Sequence, residues 1–372
     1  MWMGLILFGA LPPVREITLL YAFSLIPLAV SLDWLFQGKE DFRSVMRSRL
    51  FNAIVFALLV FLLVRSDVDA RLAAVAFFGG NSAAAILLAG LYHRKYGVTN
   101  LRWNPSAWGD ILRINIPVGA AMFLSQSVTN LPPIVIGILL TSADVGMYSA
   151  AMKLVFVLLI IDRTFNALYL PVATRYAVGR KGEYPLLFSA SLNAFLIIMV
   201  PLIIGSEIIA RPAIVLVFGS AYEQAVTVFQ ILAGYALITM VNTLFVCTLV
   251  AFGKTRSYAA IVGSGAAILS ALVICLAFFM GSIGAALGTL LGEGIILAML
   301  ARAAARMTRV PRWGAIFKPV VAGAAMAAAA WVMREIPPVG SLAISLVVFG
   351  AVLMLTDGLP RAELRYLRDR LV

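Results

Sequence analysis

Six polar residues lie inside runs that are otherwise apolar, and their types limit the chemistry open to them. Lys153, Asp162 and Arg163 fall in the run from Gly146 to Pro171, Gln126 and Asn130 in the run from Arg113 to Leu140, and Glu293 in the run 281–302. Cations at such positions can neutralise an anionic group, amides can exchange hydrogen bonds with hydroxyls, and carboxyls can carry a proton or hold a cation. Gln126 and Asn130 are four residues apart and share one helical face. Arg163 follows Lys153 by about 15 Å along a helix and about 80° around it, so one broad face presents both cations. Asp162 points roughly opposite Lys153 and is expected to meet another helix. Glu293 stands beside Gly288, Gly292 and Gly294, which permit close helix approach. Pro132 and Pro133 each remove a backbone donor and are expected to bend the run next to its polar face, as a hinge would. A blander role is open to each: amides bridging neighbouring helices, a carboxyl satisfied by its neighbour, and a Lys153 that snorkels to the interface.

The elements that position these residues are membrane helices. The chain has 372 residues, is 62% hydrophobic and only 12% charged, and has a mean hydropathy of +1.00. Apolar runs long enough to cross roughly 30 Å of hydrocarbon recur from end to end. The fold class is therefore all-α and polytopic, with about eleven full transmembrane helices plus one partial. Full helices are expected at 16–36, 47–64, 71–92, 113–140, 146–172, 186–210, 224–252, 257–279, 281–302, 314–333 and 339–357. The run 1–11 is too short to span and lacks the features of a signal peptide, so it reads as the tail of a helix whose beginning is missing.

Charge sets the orientation. One set of connections carries 22 of the 29 basic residues, among them Lys39, Arg43, Arg47 and Arg49, then Arg94 and Lys95, then Arg302 and Arg306. The alternate set holds Arg15, Arg65, Arg71, Arg211 and Arg334. The basic set is expected on the cytoplasmic side, together with the loop 93–112 and the C-terminus. The net charge of +12 is thus a matter of topology, and nucleic acid is not an expected partner. Trp103, Trp108 and Trp313 suit the interface, and the basic loops suit anionic lipid headgroups.

Enzyme chemistry finds little support. His93 is the only histidine and lies in a basic inner loop, and no phosphate-binding glycine loop with a following Lys-Ser/Thr occurs. No cofactor or metal is expected. Cys247 and Cys275 fall inside helices and read as small buried residues. The outer connections are short, none longer than about 15 residues by the helix boundaries above, which leaves no room for a large extracytoplasmic catalytic domain.

Four passages carry a resemblance. Asp33-Trp34-Leu35-Phe36-Gln37-Gly38 is similar to a W-x-x-Q-G element after a helix, and Val145 to Leu154 to a V-G-x-Y-x-x-A-x-K element whose helix ends near Pro171. Phe218-Gly219 with Tyr222 and Ala225 resembles F-G-x-x-Y-x-x-A, and Gly253-Lys254 with Gly281-Ser282-Ile283-Gly284-Ala285-Ala286 resembles G-K and G-x-x-G-A-A landmarks. In order and spacing these resemble the bacterial oligosaccharide (O-antigen and exopolysaccharide) flippases of the polysaccharide biosynthesis group. Those are relatives of the multidrug and toxin extrusion and lipid II flippase transporters.

The resemblance implies a two-lobed transporter fold with an incomplete first lobe: 1–92 a partial lobe, 113–302 a complete six-helix lobe, 314–357 an added helix pair and 358–372 a basic tail. It further implies a multi-pass protein of the bacterial cytoplasmic membrane that moves polyprenyl-diphosphate-linked oligosaccharide by alternating access, with lipids and polysaccharide polymerase machinery as partners. Lys153 and Arg163 would then neutralise the diphosphate, Gln126 and Asn130 bond the sugar, and Asp162 or Glu293 couple a proton or sodium ion. A drug or cation antiporter, a membrane glycan polymerase or ligase, and a nonfunctional truncated fragment are the rival readings.

Overall fold

The computed structural model describes residues 12–39, 41–65, 70–97, 109, 130–308, 313–356 and 358; the side chains of 12–15, 70, 167 and 313–316 are outside that description. Gln126, the run 1–11, most of the run 113–140 and the basic tail lie outside the described residues. All regular elements described are helical. The chain divides into two compact units, Met1–Ile111 and Leu112–Val372.

In the first unit the expected helix 16–36 is three pieces: α1 (Pro12–Phe23), α2 (Leu25–Val30) and α3 (Asp33–Gly38). The breaks have local causes. The Ser24 hydroxyl donates to the Tyr21 carbonyl at 2.6 Å, competing with the helical ladder, and Pro27 removes a ladder donor. Ser31 then turns to extended backbone. α4 (Phe42–Leu63) and α5 (Ala70–Tyr96) pack along each other, and α1 packs on α5.

The end of this unit that holds α3 is fastened by paired groups. Asp41 caps α4 by accepting from the Ser44 amide at 3.3 Å and also pairs with Lys95 on α5. Those bonds hold the Asp41 carboxyl below its ordinary value. Asp33 accepts from Gln37 at 2.9 Å and from Arg49 at 3.0 Å, while Phe36, fully buried, meets the edge of Tyr92. Asp33, just before the W-x-x-Q-G residues, thus joins α3 to α4 through Arg49, and Gln37 of that element braces it from within α3. Midway along the helices, Asn52 donates to Asn81 at 3.0 Å and Asn81 donates to the Phe77 carbonyl at 2.8 Å.

The second unit holds most of the core. Its first described helix, α6 (Leu131–Leu139), carries Pro132 and Pro133 in its opening turn, where a missing N–H leaves no ladder bond broken. The run before Asn130, the other arm of the expected hinge, lies outside the described residues. α7 (Ser142–Gly179) opens with a capping box: the Thr141 hydroxyl accepts from the Asp144 amide at 3.3 Å, and the Asp144 carboxylate accepts from the Thr141 amide at 3.2 Å. α8 (Tyr184–Ile208), α9 (Ala210–Phe218) and α10 (Ala225–Ala251) follow. α10 sits at the centre of this unit, packed against α7 on one side and the next helices on the other.

The helical stretch Thr255–Thr308 is 54 residues long, far more than one crossing needs. It turns back at Gly281, whose φ of +63° and ψ of −142° suit a residue without Cβ. The arms, α11 (255–280) and α12 (282–308), form the antiparallel hairpin expected from the sequence. Gly284, Gly288 and Gly292 let them touch: a Cβ on Gly284 would collide with the Leu276 carbonyl oxygen, and one on Gly288 would stand 2.7 Å from the Val273 Cα. Gly284 therefore belongs to this close-approach row. Gly294, expected in it, faces Ile238 of α10 with room to spare. α13 (Trp313–Val332) and α14 (Pro338–Leu355) form a second hairpin that packs on α8.

Eight helical stretches among the described residues are long and apolar enough to cross a bilayer, with Thr255–Thr308 counted as one. Large apolar side chains such as Phe61 (81% exposed) and Leu216 (87%) stand outward, as lipid-facing residues do. The protein is a multi-pass membrane protein.

Candidate functional site inside the second unit

Three helices of the second unit bring polar side chains together inside the apolar core. α10 supplies Tyr235, Thr239, Asn242 and Thr243, whose spacing of three and four residues places them along one side of the helix. From α12, Glu293 reaches Asn242: the Asn242 amide donates to Glu293 Oε1 at 2.8 Å and to the Glu293 backbone carbonyl at 3.3 Å. From α7, Asp162 faces Thr243, and one turn further Asn166 Oδ1 accepts from the Cys247 thiol at 3.4 Å. Asp162 and Glu293 thus meet adjacent residues of α10, Thr243 and Asn242, from two different helices. The sequence places these carboxyls 131 positions apart; the fold joins them through α10.

Bonding in this cluster is incomplete. Asp162 Oδ1 and Asn242 Oδ1 are buried without a hydrogen-bond partner among the described residues. Thr239 lies beside Glu293 and Tyr235, yet its buried hydroxyl completes no well-formed bond. The unsatisfied atoms are oxygens, which is the donor set of a hard cation or of a proton shared between carboxyls. Buried polar groups in folded proteins are nearly always partnered, so this concentration marks a place where something binds or moves. Some neighbouring polar groups are paired, the Tyr148 hydroxyl meeting Thr289 Oγ1 at 3.3 Å and the Tyr184 hydroxyl donating to Thr248 Oγ1 at 2.9 Å, while the Tyr169 and Tyr176 hydroxyls of α7 and Asn193 Oδ1 of α8 are also buried without a bond among the described residues; what sets the cluster apart is that its unbonded oxygens include a carboxylate's.

The cations go elsewhere. Lys153 and Arg163 are both exposed on α7, and no ion pair reaches either among the described residues. Val157 and Ile160, at 60% and 58% exposure, share that open side. The structure thus sorts the charged residues of α7 by sign, with Asp162 turned to the core and the cations turned out. Asn130 stands at the start of α6, and Gln126 lies outside the described residues. No group of three or more His, Cys, Asp or Glu suited to a metal occurs among the described residues.

Tyr235, Thr239, Asn242 and Thr243 are absent from the residues singled out by sequence, because single uncharged polar residues in a membrane helix most often bridge neighbouring helices. Their common side on an otherwise apolar helix was the available signal.

The sequence elements quoted earlier also have structural roles. Gly146 faces Tyr222, whose hydroxyl would stand at an ordinary contact distance of 3.7 Å from a Cβ there, and Tyr222 packs on Phe218 at 5.7 Å between ring centres. Tyr148 of the same element is 1% exposed and bonds α7 to α12. Residues 12–177 match the family described as "Polysaccharide biosynthesis protein". The matched segment is a little under half of the chain. The resemblance drawn from the sequence is therefore borne out, and the match takes in α7 with Lys153, Asp162 and Arg163. Among solved structures, "Lipid II flippase MurJ, inward closed conformation" superimposes with a TM-score of 0.71 at 14% sequence identity, covering 95% of this chain and 73% of that one. The chain has that transporter's fold. No curated protein sequence matches it.

Proposed function

We propose that the protein is a flippase that carries polyprenyl-diphosphate-linked oligosaccharide across the bacterial cytoplasmic membrane by alternating access, for cell-surface polysaccharide such as O-antigen, lipopolysaccharide or exopolysaccharide. The C-terminus is cytoplasmic in this reading, by the bias of basic residues. The observation that carries it is the convergence of Asp162 and Glu293 on one incompletely bonded cluster, within a chain that has a lipid II flippase's fold. A diphosphate with a glycan attached cannot enter hydrocarbon unaided, since each unpaired polar group costs several kcal/mol there. Exposed Lys153 and Arg163 supply charge for the diphosphate, and Gln126 and Asn130 supply hydrogen bonds for sugar. Asp162 and Glu293 take up and release a proton or sodium ion, which ties the conformational cycle to an ion gradient. Polymerase machinery would then consume the exported unit.

The cluster also favours a second reading, an antiporter of organic cations, because inward acids attract positive charge. One experiment separates the two: protein in liposomes carrying a fluorescent polyprenyl-diphosphate oligosaccharide is assayed for label reaching the far leaflet, and in parallel for ethidium movement. Transfer of the lipid-linked sugar without ethidium movement supports the flippase; ethidium movement alone supports the antiporter. Lys153→Ala with Arg163→Ala is expected to lower sugar transfer about tenfold or more, the scale of a lost charge-assisted contact. Unchanged transfer in both variants removes the cationic site.

A further inference from the structure

A second place on the unit 112–372 has charge without partners. Where α8 ends and α13 turns into α14, a cleft of about 350 Å³ opens between the helices, lined on one side by Ile204 and Glu207 and on the other by Ala330, Trp331 and Arg334. Glu207 is half-buried, and neither a hydrogen bond nor an ion pair reaches it from the described residues. Arg334 lies over the Trp331 ring, 5.5 Å from its centre, and makes no ion pair with Glu207 although both line the cleft. The neighbouring Glu335 is exposed and does not line it. The cleft therefore offers an acid and a base held apart, an aromatic edge of the kind that settles at the headgroup level, and an apolar wall of Ala and Ile below.

We propose that this cleft binds one phospholipid with a zwitterionic, ammonium-bearing head group. The ammonium pairs with Glu207, the phosphate with Arg334, and an acyl chain runs along Ile204 and the alanines of α13. Charge complementarity selects the occupant. An anionic phosphatidylglycerol would satisfy Arg334 and leave Glu207 facing a hydroxylated head group. A choline head group brings charge but no N–H to donate. Seated between α8 and the turn 333–337 that closes the α13–α14 hairpin, such a lipid adds to the packing of the hairpin on α8 at that end. The assignment does not depend on the cargo of the proposed flippase.

The test is native mass spectrometry of the full protein released from vesicles of equimolar phosphatidylethanolamine, phosphatidylcholine and phosphatidylglycerol. The wild type is expected to retain one phosphatidylethanolamine about tenfold over either competitor, the scale of one charge-assisted hydrogen bond. Glu207→Gln should erase the preference over phosphatidylglycerol, and Arg334→Gln should lower retention of all three lipids. Equal retention of phosphatidylglycerol by the wild type, or a preference that survives Glu207→Gln, overturns the proposal. Arg334 is exposed, so Arg334→Gln gives a folded variant even where Glu207→Gln does not, and unchanged retention in it also overturns the proposal. Displacement of the lipid by micromolar soluble glycerophosphoethanolamine would contradict the acyl-chain part.

Discussion

The two units each bury polar groups between membrane helices and bond them to different degrees. In the first, Asn52 and Asn81 form a neutral pair: one amide donates to the other, which in turn donates to the Phe77 carbonyl. In the second, Asp162 and Glu293 share a cluster in which Asp162 Oδ1, Asn242 Oδ1 and the Thr239 hydroxyl are left over. A closed neutral pair is glue, contributing on the order of 1 kcal/mol to helix association. An open acidic cluster costs stability, and its retention is explained by a task. The lesson is that the degree of satisfaction, more than polarity, separates a structural from a functional group inside a membrane.

The largest expected effect breaks the comparison on the functional side. Asp162→Asn and Glu293→Gln should each lower ion-driven transfer of lipid-linked oligosaccharide in liposomes by about tenfold to a hundredfold, while yield and thermal unfolding stay near the wild type. Loss of folded protein together with transfer would make the acids structural, like the asparagines.

Asn242→Leu is next. It removes the donor that holds Glu293 at 2.8 Å and so affects both properties. A loss of about 1–3 kcal/mol in unfolding free energy is expected with reduced transfer, because the Glu293 carboxyl is left buried and unpaired. Combining it with Glu293→Leu should recover much of the stability and none of the transfer, as a chemical-denaturation series would read.

On the structural side, Asn81→Leu should cost about 1 kcal/mol in stability and leave transfer intact. A transfer defect without destabilisation would place a functional group in the first unit as well.

The smallest effect lies at the end of the first unit. Asp41 is held ionised by Lys95 and Ser44, and its carboxyl sits below the ordinary 3.8. A lowered native value means that its contribution is fully present above that ordinary value and fades as pH falls through the native one. The melting-temperature gap between wild type and Asp41→Asn should therefore hold constant down to about pH 5 and close below about pH 4.

Much of this was legible in the sequence, for reasons visible in particular residues. The helices announce themselves through apolar runs, and the turn at Gly281 shows as a glycine between two runs that are each a membrane's width. The inward turn of Asp162 followed from its angle to Lys153. Three features were not legible. The breaks at Ser24 and Ser31 depend on a side-chain hydrogen bond and one missing donor inside an apolar stretch that reads as continuous. The sequence points to Gly288, Gly292 and Gly294 where the structure uses Gly284, Gly288 and Gly292, because glycine spacing alone does not say which face meets the partner arm. The meeting of Asp162 with Glu293 needs α10 between them, and that is set by packing among helices far apart in sequence.

The most direct test of the central claim is ion-dependent transfer of the lipid-linked oligosaccharide in liposomes for the wild type and the Asp162→Asn, Glu293→Gln double variant. The account predicts that an imposed proton or sodium gradient accelerates transfer by the wild type and does nothing for the double variant, which remains folded. Equal acceleration in both proteins would contradict it.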